Sequence, residues 1–595
     1  MEKGCRYLSD ALYKKNLSYL ERVNNPLQKK ILKTNSNSAY IKRGVLGKKN
    51  IIKIFNNAEY PIHSNYDPYV NGKIIADAIS KEDCDIVFQF GLGIGYELWE
   101  MQKKNPNKIY LVIEPDVEIF KNTLHCIDIK PIMESINLFI GNDEKAINEV
   151  FSYILNRYKS LRVKFVVLPS YKVIYKKLWE NVMNSIKKTL NMYYISVNTN
   201  NSLQKRWVRN YILNLSSLKE SKPVESLKKY FNEKPAIVVS GGPSLNLNIE
   251  ALKNINDRCI IVAAGSGATV LESNKIKAHI IGAIDGSKAE ESIFKDFALN
   301  SNTALLYSSQ TYYSVLHMFK GKKFLLNQVD MDEYLHKGMG WKKSQGYSGP
   351  SIANIVTYNL SQLGCNPIIF LGQDMCYSEN SSYAKGARKY NRYTKEELEA
   401  NPNLIKVHNK KGEEVYTTSV FLSFKYSLEN CIKAHPHIKY LNGSDNGLNI
   451  EGADNIDFNR YFDDIISNEK KINIDEILKK IYEDEVDKDS MNDNDIILDL
   501  HNQNKKIINI CEEIVNLINK EKDNHELVEN IKQREKVLLK LNLYNNILKK
   551  LMEPIEFLLP KNYIGRSLNY YMYVLDKCYI MEKAFHGEDI IKEGE

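Results

Sequence analysis

No two cysteines in this sequence stand at C-x-x-C spacing. The nine that occur (Cys5, Cys84, Cys126, Cys259, Cys365, Cys376, Cys431, Cys511 and Cys578) are scattered along the chain. That pattern argues against a disulfide framework or a structural zinc site and fits the reduced thiols of a cytosol. No apolar run approaches the ~18 residues of a membrane span, and the opening MEKGCRYLSDALYKKN lacks an apolar core of signal-peptide length, so a soluble, cytoplasmic chain is expected. A compact Lys/Arg block with interleaved aromatics is also missing. The formal net charge of +9 is spread over 595 residues rich in Asn, Ile, Lys and Tyr, and so points to no nucleic-acid partner.

What is present is ordinary globular composition, 43% hydrophobic and 26% charged, in a chain long enough for two to four domains. Apolar residues at helical spacing from Tyr7 to Ile31 predict one or two amphipathic helices over residues 1 to about 45. YPIHSNYDP follows and predicts a packed loop that brings His63 and Asp67 close together. DIVFQF then runs into Gly91, Gly93 and Gly95, and IYLVIEPD ends at Glu114 and Asp116. Strand, glycine turn, helix, strand and terminal acid describe half of a Rossmann-type unit, with the acid where a ribose could be held. The glycine spacing is G-x-G-x-G, however, since Tyr96 takes the last position of the dinucleotide fingerprint. A Rossmann-like domain without a ligand is therefore the favoured expectation, ahead of an S-adenosylmethionine-type site.

A second α/β domain opens at AIVVSGGPSL, again a strand, a glycine turn and a helix start, an arrangement suited to a phosphate. Strands are expected at 259–264, 279–283, 303–308, 323–327 and 367–371, with helices between them in a doubly wound, mainly parallel sheet. Ligands of such sheets bind beyond the carboxyl ends of the strands. Several candidates converge there: Gly241, Gly242, Pro243 and Ser244; Gly265 and Ser266; Asp285; Ser348, Gly349 and Ser351; and Gly372, Gln373 and Asp374 followed by Tyr377. Leu and Ile at three- and four-residue spacing from Ile496 to Leu551, and a further helix at 567–584, predict an all-α carboxyl-terminal bundle. The expected domains are 1–225 (Rossmann-like, with leading helices and a helical connector), 226–468 (central sheet) and 469–595 (helical).

GGPSL after a strand, then AAGSG, IDG and the block SGPSIANIVTYNLSQLGCNPIIFLGQDMCYSENSSYAKGA, together with HSNYDP, FGLGIGYEL, VIEPD, VYTTSVFLSF and NGLNIEGA, resemble the bacterial motility accessory factor (Maf) family of flagellin glycosyltransferases over roughly residues 55 to 455. The central block is also similar to bacterial sialyltransferases of glycosyltransferase family 42. The match falls on Ser348-Gly349 at a helix start, Gly372-x-Asp374 at a strand end, and Tyr377 and Tyr383, the counterparts of two tyrosines six residues apart that bind the leaving phosphate of a CMP-sugar.

That resemblance implies transfer of a nonulosonic acid (sialic, pseudaminic or legionaminic type) from a CMP-activated donor to Ser or Thr hydroxyls of flagellin. Such a reaction passes through an oxocarbenium-like state, with backbone N–H groups at Ser244 and Ser348 and the two phenols stabilising departing CMP. No cofactor and no metal ion are required on this view. The one D-x-D sequence weighed, Asp330-Met331-Asp332, follows LLNQV in an apparent loop and is expected to be a solvated turn. The acceptor base is open: the sialyltransferases use a histidine downstream of the tyrosines, and His408 stands in a comparable region with unmatched neighbours, leaving Asp285 and Asp374 as alternatives. A pterin diphosphokinase-like ATP enzyme, or a non-enzymatic flagellin-binding assembly factor, are the competing functions.

Overall fold

The computed structural model describes residues 2–34, 38–255, 257–294, 303–341, 346–378, 380–388, 390–464, 466, 470–483, 493–520, 525–560 and 562–588. The chain divides into two compact units, Met1–Asn201 with Glu553–Leu559, and Ser202–Met552 with Pro560–Glu595. The boundary expected at 468/469 lies outside the described residues.

The first unit starts with helices Glu2–Val23 and Asn25–Lys33, as the helical spacing predicts. The stretch after them is not helical. Strands β1 (Ala39–Arg43), β2 (Lys49–Phe55) and β3 (Ala58–Pro61) form a three-stranded antiparallel sheet. Gly47, at φ 71°, lies in the loop joining β1 to β2, and the β-branched NIIKI run favours extended backbone over helix. A four-stranded parallel sheet follows in the order β6-β5-β4-β7, with β4 at Ile86–Phe90, β5 at Ile109–Glu114, β6 at Asn137–Ile140 and β7 at Val163–Val167. Both of its faces are covered. Phe88, Phe90, Leu111 and Ile113 pack with Phe151 of helix Glu144–Tyr158 on one side, and Val87, Tyr110 and Val112 pack with Ile79, Leu98 and Met101 on the other. Burial on both faces is why these strands read as continuous apolar runs rather than alternating ones.

The second unit is built on a nine-stranded sheet in the order β18-β17-β14-β9-β10-β11-β12-β13-β8. Every neighbouring pair is parallel. The strands are β8 (Ser221–Pro223), β9 (Ala236–Val239), β10 (Ile260–Ala264), β11 (Ile280–Ala283), β12 (Ala304–Tyr307), β13 (Lys323–Leu325), β14 (Ile368–Leu371), β17 (Tyr440–Asn442) and β18 (Asp454–Asn455). A separate antiparallel hairpin joins β15 (Ile405–His408) to β16 (Glu414–Thr417). The order runs from β9 outward to β13 on one side and from β9 to β14 on the other, so it reverses between β9 and β14. Helices Asp493–Lys520 and Tyr563–Phe585 pack along each other and, with His525–Leu538, make the carboxyl-terminal helical layer. The α/β class with a large parallel sheet is thus the observed fold.

The solvated turn expected at Asp330-Met331-Asp332 is overturned for Asp332, which is fully buried at the start of helix Asp330–Gly338. Its carboxylate accepts from Ser308 Oγ (2.8 Å), Ser309 N (2.7 Å), Gln328 N (3.0 Å) and Val329 N (3.1 Å), tying the ends of β12 and β13 together. Asp330 alone faces solvent, paired with Lys550 at 2.6 Å. Replacing Asp332 with Ala leaves these donors unanswered in the interior. A loss of about 2–4 kcal/mol is expected, read as a lower urea midpoint by intrinsic fluorescence.

Candidate functional site

In an open parallel sheet the loops diverge where the strand order reverses, and that crevice is where ligands bind. Each unit has such a point, and the two are furnished differently.

In the first unit the order reverses between β4 and β7, and the gap is filled by protein. Glu114, at the end of β5, is fully buried and accepts from Leu92 N (3.0 Å), Gly93 N (3.1 Å) and Tyr171 Oη (2.5 Å). The Tyr171 ring lies 2.6 Å from where a Cβ on Gly91 would stand. His63 Nε2 accepts from Ile94 N at 2.8 Å, which puts its proton on Nδ1, 2.7 Å from the buried Glu97 carboxylate. The turn amides that would meet a pyrophosphate are therefore already bonded. Asp116 caps helix Val117–Thr123 and pairs with Lys53 at 2.6 Å. Glu114, the strand-end acid, thus grips the glycine turn itself. Burial pushes its pKa up to about 7, against the hydrogen bonds from Tyr171 and the backbone.

In the second unit the reversal falls between β9 and β14, where the two glycine turns meet. Gly242 N donates to Gly372 O at 2.8 Å, and Ser240 Oγ donates to Gln373 Oε1. Gly372 takes φ 66°, and a Cβ there or on Gly242 would run into the opposing turn. The glycines are needed for turn against turn. Asp374 is the clasp: fully buried, it accepts from Ser244 N (3.2 Å), Ser244 Oγ (2.7 Å) and Ser378 Oγ (3.2 Å). Two expectations are corrected by this. The Ser244 amide is spent on Asp374 and is not available to a leaving group, and Asp374 is enclosed and cannot collect a proton from an acceptor. Pro243 and Ser244 begin a buried 3-10 turn, Pro243–Asn248.

Some of the remaining candidates contact these turns. Ala384 N donates to Gly241 O at 2.8 Å, which seats the segment carrying Tyr383 on the first glycine turn. A Cβ on Gly241 would lie 2.6 Å from Ser266 Oγ, so the Gly265-Ser266 turn is adjacent as well. Ser351 caps helix Ile352–Gln362, accepting from Asn354 N at 3.3 Å, and Ile352 abuts Gly265 and Gly282. Ser348 is exposed just before this helix, and Gly349 lies against the Tyr347 ring. Tyr377 N donates to Tyr416 O at 2.7 Å, binding the β15–β16 hairpin to the tyrosine segment. Both Tyr377 and Tyr383 are half-buried. Burial, with the Tyr393 and Tyr383 phenols nearby, raises the Tyr377 pKa, so the phenol stays a neutral donor. Asp285 is exposed at the end of β11, accepting from Ser287 N at 2.9 Å. His408 is exposed on β15 opposite Glu414.

Four contributors escaped the sequence. Ser444 Oγ accepts from Gln373 N at 2.8 Å, and Tyr393 meets Tyr377 edge-on at 5.7 Å. Lys410, half-buried with its pKa lowered by burial, donates to Asn442 O at 3.2 Å and attracts Asp374. Asn210 donates to Gly286 O and Gln310 O (3.0 and 2.9 Å), bracing the loop after Asp285. Only Asn210, in the helical connector, and Lys410, beside His408, stood in segments that drew attention at all.

At its two strand-order reversals the protein thus has one glycine turn gripped by Glu114 and one held by Asp374. Known proteins share parts of this chain. Residues 68–195 match the family model of the glycosyltransferase Maf N-terminal domain, and residues 209–380 match that of 6-hydroxymethylpterin diphosphokinase MptE-like proteins. The first of these matches makes the chain similar to the Maf family of glycosyltransferases in its amino-terminal domain. A solved Maf glycosyltransferase from Magnetospirillum magneticum AMB-1 shares the fold at 12% identity, with a TM-score of 0.58 over 97% of this chain and 95% of that one. MNMC2 from Aquifex aeolicus aligns at 17% identity over 24% of this chain and 59% of that one, with a TM-score of 0.14, too low to bear on the fold. No curated protein matches the sequence.

Because burial raises the Asp374 pKa to about 6, the folded state holds a proton there that the unfolded chain has released. Its contribution to stability is complete below the ordinary carboxyl value near 4 and is lost as pH rises through about 6. Melting curves from pH 4 to 7 should therefore fall more steeply for the wild type than for Asp374→Asn.

Proposed function

We propose that this protein is a cytoplasmic O-glycosyltransferase that moves a nonulosonic acid of the sialic, pseudaminic or legionaminic type from a CMP donor to Ser or Thr hydroxyls of flagellin. The observation that carries this is the Ala384–Gly241 hydrogen bond, which sets the tyrosine segment beside the glycine turn at the reversal of the central sheet. Tyr377, Tyr383, Ser348 and Gly349 are the residues whose sequence context resembles family 42 sialyltransferases.

In this mechanism the bond from the anomeric carbon to the CMP phosphate oxygen breaks with its electron pair on the phosphate. The phenols of Tyr377 and Tyr383 donate to that departing anion, and the start of helix Ile352–Gln362 adds backbone N–H groups. Since phenols and amides supply the stabilisation, transfer needs no metal ion. The acceptor hydroxyl oxygen forms the new bond to the anomeric carbon and gives its proton to an exposed group. With Asp374 enclosed, Asp285 and His408 are left for that role. No helix among the described residues is long and apolar enough to cross a membrane, so the donor and acceptor are taken to meet the enzyme in water.

The match of residues 209–380 to a pterin diphosphokinase-like model favours a second reading, in which the glycine turn cradles ATP with Mg²⁺. Protein melting temperature separates the two: CMP raises it under the transferase reading, and Mg-ATP alone raises it under the other. In reactions with a CMP-nonulosonate and flagellin, the Tyr377→Phe, Tyr383→Phe double variant should keep its fold by circular dichroism and lose about a hundredfold in CMP release. Unchanged release would remove the two phenols from the mechanism.

A further inference from the structure

The carboxyl-terminal helical layer carries a cluster that sugar transfer does not use. His501 lies on helix Asp493–Lys520, Glu582 on helix Tyr563–Phe585, and His586 directly after the latter, one turn beyond Glu582. One ligand atom from each lies within 4.8 Å of the other two. His501 Nε2 is 2.9 Å and His586 Nε2 is 3.7 Å from the same oxygen, Glu582 Oε1. Zinc–nitrogen and zinc–oxygen bonds of about 2.0–2.2 Å at tetrahedral angles require ligand atoms about 3.4 Å apart. The two observed separations bracket that value, so small side-chain rotations would complete three corners.

The surroundings orient these groups as a metal site requires. The His501 ring stacks on Phe585, 4.6 Å between centroids, which fixes its plane. Asn504 is buried and donates both to Cys578 O and to Glu582 Oε2, each at 3.0 Å, so the second carboxylate oxygen is held while Oε1 faces the histidines. Held outer partners of this kind are what position ligands in metal sites. The backbone beneath is firm, because Leu500, Ile507, Cys511, Val574, Cys578 and Met581 are buried in these two helices. One cation competes: Lys505 Nζ lies 3.9 Å from Glu582 Oε1, but its side chain is exposed and free to swing outward.

We infer that His501, Glu582 and His586 form a site for a zinc-class divalent transition metal that clasps the two long carboxyl-terminal helices and leaves its fourth position open to solvent. Two imidazoles and one carboxylate are a donor set for zinc and its neighbours rather than for Mg²⁺ or Ca²⁺, which take oxygen ligands. The site takes no part in sugar transfer, and its existence does not depend on the donor chemistry proposed above.

The test is Zn²⁺ binding to the purified full chain by equilibrium dialysis with metal analysis, after treatment with a chelator. One Zn²⁺ per chain is expected, with affinity at least tenfold weaker in His586→Ala and in Glu582→Gln. His586 is 60% exposed, so its removal leaves the fold intact. Lys505→Ala should shift binding the other way, towards tighter binding, and Zn²⁺ should raise the melting temperature of the wild type but not of His586→Ala. Absence of binding in the wild type, or binding unchanged in His586→Ala, would overturn the assignment.

Discussion

Reversal of strand order in a parallel sheet forces the loops on either side of the reversal to leave in opposite directions, and something must occupy the gap at their carboxyl ends. In the central sheet that place is between β9 and β14, and the two turns that meet there are held by the Asp374 carboxylate accepting from Ser244 and Ser378. The candidate site hangs on this clasp. It fixes Gly241 and Gly242 against Gly372 and Gln373, and on that platform Ala384 anchors the tyrosine segment. A carboxyl group buried with full hydrogen bonding is better suited to holding backbone than to moving protons. Asp374, one of the alternatives for the acceptor base in the sequence, is here held in structural hydrogen bonds.

The amino-terminal sheet solves the same geometric problem with protein alone. Glu114, Tyr171 and His63 take up the turn amides, and the Tyr171 ring occupies the space over Gly91. The unit keeps the strand–glycine–helix outline of a nucleotide-binding domain while its crevice is closed. The two units thus hold the same kind of glycine turn in different ways, the first with Glu114, Tyr171 and His63 and the second with Asp374.

Much of the frame was legible because buried parallel strands announce themselves as short apolar runs ending in glycine. DIVFQF, IYLVIEPD, AIVVSGG and IIFLGQD all became strands within a residue or two of expectation. The sheet at 39–61 was lost because its hairpin follows two genuine amphipathic helices with little punctuation, and Asp332 was misjudged because a D-x-D string does not say which carboxylate turns inward. At the site, glycine and serine positions were visible, but their partners were not. Ser444 reaches Gln373 from 71 residues along the chain, and no local pattern marks a hydrogen bond of that span; Tyr393 meets the Tyr377 ring from a separate loop. Nor could sequence say that Ser244 N would be spent on Asp374, since that depends on the turn's direction.

The central claim is that the glycine turns and the Tyr377/Tyr383 segment form one donor site. A crystal structure of the protein with CMP tests it most directly. The account predicts the CMP phosphate within hydrogen-bonding distance of the Tyr377 and Tyr383 hydroxyls, beyond the carboxyl ends of β9 and β14. A phosphate bound elsewhere, or one at the glycine turn with both phenols turned away from it, would contradict the account.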